Sequence, residues 1–514
     1  MNELNDWTSG YVTDIGYTFG YYSELNPLAL KLAFLNSGII PPEVGYACEL
    51  GFGQGLSTNI HAAGSLVHWH GNDFNPAQTA HAHELAAASG AKVDLVDDSF
   101  AEFVNRSDLP EFDYIGLHGI WSWISDENRG HLVEFIRKKL KVGGVVYISY
   151  NTLPGWSAFA PVRYLMTEHA ELVGAEGQGI LGRIDESLLF TEKLLAASPA
   201  YALANPQVSE RIKSLKQQSR QYLAHEYFNR DWQPMSFSSV KDWLAPTKLS
   251  YACSANLLDH VDEINLSQEQ IALLQSVNDP QLRETTKDFM VNQQFRRDYW
   301  VKGGRRLLPQ QQLTRLRQFA CVLVVPPDSI SMKFQASQGE VSMTESIYLP
   351  IIQRLSNHQP ITLGELHQQL ASQAISFTQM FQAVVVLAGR GCLAAVQNEE
   401  TVAKVKESSQ RLNNYLLNGA CNGSEISYLV SPLIGGGISA SRIEQLLISA
   451  YINGEQTPEA MAKKAWFYLK ELGQSLIKDG EAIDEEDENL AEMQRYAELF
   501  VATRLPIFQA LLIV

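Results

Sequence analysis

The stretch that most narrows what this chain can fold into is "ACELGFGQG", Ala47–Gly55, and the pattern around it. From about residue 45 to 150, short apolar runs alternate with helix-like segments. "VGYACEL" reads as a strand, "LSTNIHAAG" as a helix, "LVHWHGNDF" as a strand, and "PAQTAHAHELAAASG" as a helix stopped by Gly90. "AKVDLVDD", "EFDYIGLHGI" and "GGVVYISYN" continue as strands, with "NRGHLVEFIRKKL" a helix between the last two. Such alternation predicts a parallel sheet with helices on both faces. In open sheets of that kind, ligands bind at the carboxyl ends of the strands. The glycine stretch falls at the first of these ends.

Its spacing excludes two phosphate-binding loops. A GxGxxG fingerprint counted from Gly51 and Gly53 needs glycine where Leu56 stands, and no Gly-Lys-Ser/Thr follows as a P-loop requires. What remains is acid-x-G-x-G-x-G, made by Glu49, Gly51, Gly53 and Gly55. Glycines let the main chain turn sharply and approach a ligand closely. A methionine-like moiety with a sulfonium suits this loop, its ammonium group drawn to carboxylate or carbonyl oxygens. A tight strand–helix connection explains the loop equally well when it is taken alone. Asp73 ends the next strand, where an acid can accept both ribose hydroxyls of a nucleoside. Asp98 and Ser99 end the third, where an acceptor can take an adenine amino proton. Singly, each acid is a surface cap or turn residue; the three strand ends together point to a nucleoside-bearing cofactor.

Together these residues resemble the class I S-adenosylmethionine-dependent methyltransferases over about residues 45–155. "YTFGYYSELNPLALKLAFLN", "SYNTLPGW", "LAHEYFNRDWQP" and "DPQLRETTKDFMVNQQFRRDYW" further resemble bacterial methyltransferases with a methyltransferase regulatory domain, the rickettsial protein lysine methyltransferases among them. The resemblance implies a Rossmann-like α/β core at residues 1–165 with an N-terminal lid. It also implies a largely helical middle domain at 166–305 that contributes late strands, and an α-rich C-terminal domain at 306–514. Within the last, helix, short helix, helix and "GCLAAVQNEE" at about 345–400 are compatible with a winged-helix-like module. The family's sheet has seven strands; "KLSYACSAN" is expected as the sixth, and either "DYWVKG" or "CVLVV" as the seventh.

The implied cofactor is S-adenosylmethionine, with Gly51, Gly53 and Gly55 at the methionine part, Asp73 at the ribose and Asp98 at the adenine. Tyr22, Glu49, Ser99 and His118 complete the expected cofactor set, and Tyr17, Tyr21 and Tyr22 are the expected lid. The residues after the fourth and fifth strands are where this fold presents groups to an acceptor. His118, Trp121, Tyr150 and Asn151 are therefore the catalytic candidates, with Trp123 and Trp156 read as core. His225-Glu226 fails as a zinc-protease motif because Asn229 stands where the second histidine belongs. It reads as a buried polar helix pair or the lining of an acceptor channel. Arg296, Arg297 and Asp298 read as a structural ion pair. His68, His70, His81 and His83 do not make a complete metal set, and no metal is expected.

The resemblance implies N-methylation of a lysine-containing protein. A small-molecule methyltransferase and a non-catalytic cofactor-binding scaffold are the alternatives. A net charge of -17 argues against nucleic acid, and no apolar stretch is long enough for stable membrane insertion. Five dispersed cysteines without a CxxC pair fit a reduced, cytoplasmic setting. Oligomeric state stays open, a homodimer included.

Overall fold

A computed structural model describes residues 19–174, 179–424, 426–478 and 480–514. Tyr17 of the expected lid lies outside them.

The core is one seven-stranded sheet. Its strands are β1 (Tyr46–Leu50), β2 (His68–Asn72), β3 (Val93–Val96), β4 (Phe112–Leu117), β5 (Leu140–Asn151), β6 (Leu249–Ser254) and β7 (Phe295–Lys302). The order is β3-β2-β1-β4-β5-β7-β6. The first five strands pair in parallel, and β7 runs antiparallel between β5 and β6. "KLSYACSAN" supplies the sixth strand, as expected. The seventh is Phe295–Lys302, which takes in most of "DYWVKG", one of the two candidates. Asn292, left-handed at φ 50°, ends the preceding helix Pro280–Val291 and frees that strand. "CVLVV" instead supplies Ala320–Leu323, the centre of a small antiparallel sheet between Ile361–Thr362 and Leu393–Ala395. Helices Glu345–Leu355, Leu363–Gln369 and Phe377–Gly389 accompany it, in the order expected for the winged-helix-like module.

Two additions surround the sheet. Between β5 and β6 the chain makes a helical excursion, Ala160–Leu172 through Arg220–Tyr227, with its own core of Phe159, Val162, Met166, Ile184, Ile212 and Leu223. Ser219 caps the last of these helices by accepting from the Tyr222 amide. The C-terminal region packs on the helices that follow β1 and β2. Leu56, Ile60, Ala63 and Leu85 share one apolar cluster with Leu412, Leu429, Val430 and Ile434. Helix Leu56–Gly64 is buried along its whole length for this reason. Ser408 and Ser409 donate to the Ala63 carbonyl, Gln397 to that of Gly64 and Arg411 to that of Ser89, satisfying carbonyls that helix ends leave open. No helix among the described residues is long and apolar enough to cross a membrane.

Candidate active site

A cavity of about 500 Å³ opens at the carboxyl ends of β1, β2, β4 and β5. One end is floored by the glycine turn. Gly51, Gly53 and Gly55 all take left-handed φ, +70°, +59° and +69°. They are not equivalent. A Cβ on Gly55 would lie 2.4 Å from the Cβ of Ala82, and one on Gly51 2.8 Å from Ile120, whereas Gly53 has nothing within 4 Å. Gly51 and Gly55 are therefore needed for packing, and Gly53 is the bare backbone facing the opening.

Two carboxyl groups sit beside that turn. Asp73 accepts the amides of Gly53 at 2.8 Å and Asn75 at 3.0 Å, and the Gln78 amide nitrogen in its satisfied orientation lies 3.0 Å away. Glu49 is buried and accepts the Thr58 hydroxyl. Burial pushes Asp73 up to about 7; burial and the nearby Asp73 push Glu49 up to about 8. Two acids held this way are short of a cation or of hydroxyl donors.

The third strand end differs from expectation. Ser99 lines the cavity, but its hydroxyl caps the short helix Phe100–Phe103 in a reciprocal box with Glu102. Asp98 is not among the lining residues. Its carbonyl accepts from Asn72 at 2.9 Å, and its carboxylate pairs with Arg106 at 3.2 Å.

Beyond β4, Gly119 turns left-handed and the Trp123 amide returns to the Ile120 carbonyl at 2.9 Å. This tight turn places Ile120 and Trp123 on the cavity and sends Trp121 into the apolar core, fully buried and edge-on to Trp243. The expectation for the two tryptophans is thus reversed: Trp123 lines the cavity, and Trp121 is a core residue. Tyr150 is corrected likewise. Side chains alternate along β5, so Val146, Ile148 and Tyr150 share one apolar face. The Tyr150 hydroxyl donates to Asp298 at 2.8 Å in a buried network that also ties Arg296 to Asp288 and Glu284. Asn151, next in line, lines the cavity and is held by the Ser122 hydroxyl and the Met235 amide. Trp156, read as core, also reaches the wall, with the Arg211 guanidinium 4.0 Å from its ring centre.

His118 lines the cavity with its ring stacked on Tyr22, 3.5 Å between centres, and Nδ1 2.9 Å from the Tyr147 hydroxyl. Burial lowers its pKa to about 4, so the ring is neutral at neutral pH. Tyr22 fits the expected lid, its amide anchored on Ser57 at 3.0 Å. Tyr21 does not. Side chains alternate along this segment too, and Tyr21 packs away from the cavity against His61 and Tyr428.

The roof comes from the helical excursion. Helix Arg220–Tyr227 and the turn after it bring Tyr222, His225, Glu226, Asn229 and Asp231 to the far end of the cavity, and Phe295 enters from β7. Sequence reasoning placed His225-Glu226 near an acceptor channel but missed Tyr222, Asp231, Arg211 and Phe295. The signal available was helical spacing: Tyr222, His225 and Glu226 share the helix face opposite Leu223 and Ala224, which pack into the core. His68 and His70 lie at the opposite end of β2, and His81 and His83 bond to the carbonyls of Gln54 and Leu95.

Comparison with known proteins agrees with this arrangement. A family model described as a methyltransferase regulatory domain matches residues 219–302, the segment from the roof helix to the end of β7. An uncharacterised protein of Synechocystis is 41% identical over 511 residues, covering 98% of this chain and 99% of its own. An uncharacterised protein of Rickettsia prowazekii is 27% identical over 55% of this chain and 51% of its own. Among solved structures, PKMT2 from Rickettsia typhi in complex with AdoHcy superposes with a TM-score of 0.68 at 17% identity, covering 94% of this chain and 98% of that one. The sheet order, the full-length relative and the matched segment together show that this chain belongs to the class I S-adenosylmethionine-dependent methyltransferases that carry a methyltransferase regulatory domain.

Proposed function

We propose that the chain transfers the methyl group of S-adenosylmethionine to the side-chain amine of a lysine in a protein. The observation that carries this reading is a single cavity with two unlike ends. One end is bare backbone with two carboxyl groups, and the other is an aromatic wall with two more carboxylates.

When bound, S-adenosylmethionine supplies an activated, electrophilic methyl group. Gly53 would leave room for the methionine part. Glu49 would face its ammonium group and ionise in response. Asp73 would exchange its amide and Gln78 partners for the ribose hydroxyls, and Tyr22 would close over the ligand from the lid. Asp98 would have to release Arg106 before its side chain met the adenine; Asn72 and Phe100 are better placed at that wall. The likeness to PKMT2, solved in complex with AdoHcy, supports S-adenosylmethionine as the cofactor.

At the far end, Trp123, Trp156, Tyr222 and Phe295 offer ring faces, and Glu226 and Asp231 offer charge, a pairing that attracts an alkylammonium group. A lysine amine, with a pKa of about 10.4, must lose a proton before it attacks. His118 does not hold that proton at neutral pH, because its own pKa is lowered to about 4. Its contribution is to orient Tyr22 and the wall of the cavity. The aromatic rings favour the neutral amine by desolvation and the two carboxylates favour its charged form, so the proton leaves to solvent and turnover rises with pH until the amine is neutral.

The helical roof favours a second reading, a compact amine-bearing small molecule. Incubating the protein with methyl-labelled S-adenosylmethionine and a lysate separates the two. Label in protein, recovered as methyl-lysine after hydrolysis, supports the proposal. Label confined to small molecules supports the second reading, and label in neither removes both.

A further inference from the structure

We propose that His68, His70 and Asp94 form a binding site for a divalent transition-metal ion of the zinc type, at the end of the sheet opposite the cavity. The pleat of β2 puts the two histidines on one face, and the register places Asp94 of β3 beside His70. The imidazole rings stack 4.5 Å apart. Asp94 Oδ2 lies 2.7 Å from His68 Nε2 and 3.7 Å from His70 Nδ1, and one donor atom from each residue falls within 4.8 Å of the others. Zinc–ligand distances of about 2.0–2.2 Å put neighbouring donors in a tetrahedral site about 3.3 Å apart, between the two separations seen here. Small side-chain adjustments therefore suffice to close the site.

A second observation points to a ligand. The His70 side chain is about nine-tenths buried, and its Nδ1 faces Asp94 at 3.7 Å, longer than a hydrogen bond. Buried polar groups seldom go unsatisfied. An ion between His70 Nδ1, His68 and Asp94 would give Nδ1 the partner that Asp94 alone is too far away to be. Asp94 and about a third of the His68 side chain face solvent, which leaves the fourth position to water. Two imidazoles and one carboxylate suit zinc, cobalt or nickel rather than magnesium or calcium, which take oxygen donors. Arg106, the cation nearby, is already paired with Asp98 and Asp108.

Such an ion would tie β3, a four-residue strand at the sheet edge, to β2. The other ends of these strands carry Asp73 and Ser99 at the cavity. The test is calorimetric titration of the tag-free full-length chain with Zn²⁺, with Mg²⁺ as control and Co²⁺ as an absorption probe. The expected result is one Zn²⁺ per chain, no Mg²⁺ heat, visible Co²⁺ bands of tetrahedral strength, and a melting temperature that rises with Zn²⁺ concentration. His68→Ala and Asp94→Asn alter exposed groups and should each weaken binding by about tenfold or more. Absence of saturable Zn²⁺ binding, or binding in both variants equal to wild type, would overturn the proposal.

Discussion

The two ends of the cavity are made by different means. At the cofactor end, the main chain and two carboxyl groups come from a short span, Glu49 to Asp73, and each part sits where a strand stops. At the acceptor end, Trp123, Trp156, Tyr222, Asp231 and Phe295 are brought together from β4, β5, a helical insertion and β7. The first is rigid because sterics leave it few conformations and a C-terminal domain packs behind it. The second depends on how the insertion docks on the sheet.

That contrast can be broken at either end. The largest effect is expected for Gly55→Ala, which meets Ala82 at 2.4 Å in a left-handed conformation. It should cost about 3 kcal/mol or more of stability by denaturant unfolding, overpacking and backbone strain combined. Gly53→Ala, with open space at its Cβ, should cost only about 1 kcal/mol yet still weaken S-adenosylmethionine binding. Equal costs at the two positions would erase the distinction between packing and ligand-facing glycines.

Asp73→Asn should weaken cofactor binding by about 10- to 100-fold, the loss of about 1.5–3 kcal/mol from charged hydrogen bonds. Its effect on the empty protein has the opposite sign. Asp73 at about 7 and Glu49 at about 8 are raised above their ordinary values, so the folded state holds their protons more tightly than the unfolded one. Their contribution is best at low pH and declines as pH rises toward those values. Asp73→Asn and Glu49→Gln should therefore raise the melting temperature at pH 8–9 relative to wild type, and little at pH 5. A gain at pH 5 and none at pH 9 would reverse that assignment.

At the acceptor end, Trp123→Ala and Glu226→Gln should each lower kcat about tenfold while AdoHcy affinity, by calorimetry, stays within about twofold. Parallel losses of both would place these side chains with the cofactor. The smallest effect is expected for Tyr150→Phe. Loss of its bond to Asp298 should cost about 1 kcal/mol of stability, with activity near wild type.

The cofactor end was largely legible in the sequence for the same reason that it is rigid. Glycine spacing, strand-end acids and a helix-stopping Gly90 are local features, and the strands read directly from hydrophobic pattern, the seventh as one of two candidates. The seventh strand was only one of two candidates because three charged residues in a row, Arg296, Arg297 and Asp298, hide its period; Arg296 and Asp298 belong to a buried ion network and Arg297 pairs with Glu24. The exchange of Trp121 for Trp123 depends on a single left-handed glycine, Gly119, that spacing alone does not reveal. Tyr150 was in principle avoidable, since alternation along "VVYISYN" sets it on the face of Val146 and Ile148. Of the roof, only His225-Glu226 was offered by the sequence, as one of two readings; Tyr222, Asp231, Arg211 and Phe295 come from positions about 100 or more downstream of β4, beyond the reach of local pattern.

The most direct test is a crystal structure of the protein with AdoHcy. The ribose hydroxyls are expected on Asp73, the methionine part over Gly53, and the sulfur turned toward Trp123 and Glu226. AdoHcy bound elsewhere, or its sulfur walled off from the aromatic end, would contradict a single cavity joining methyl donor to acceptor.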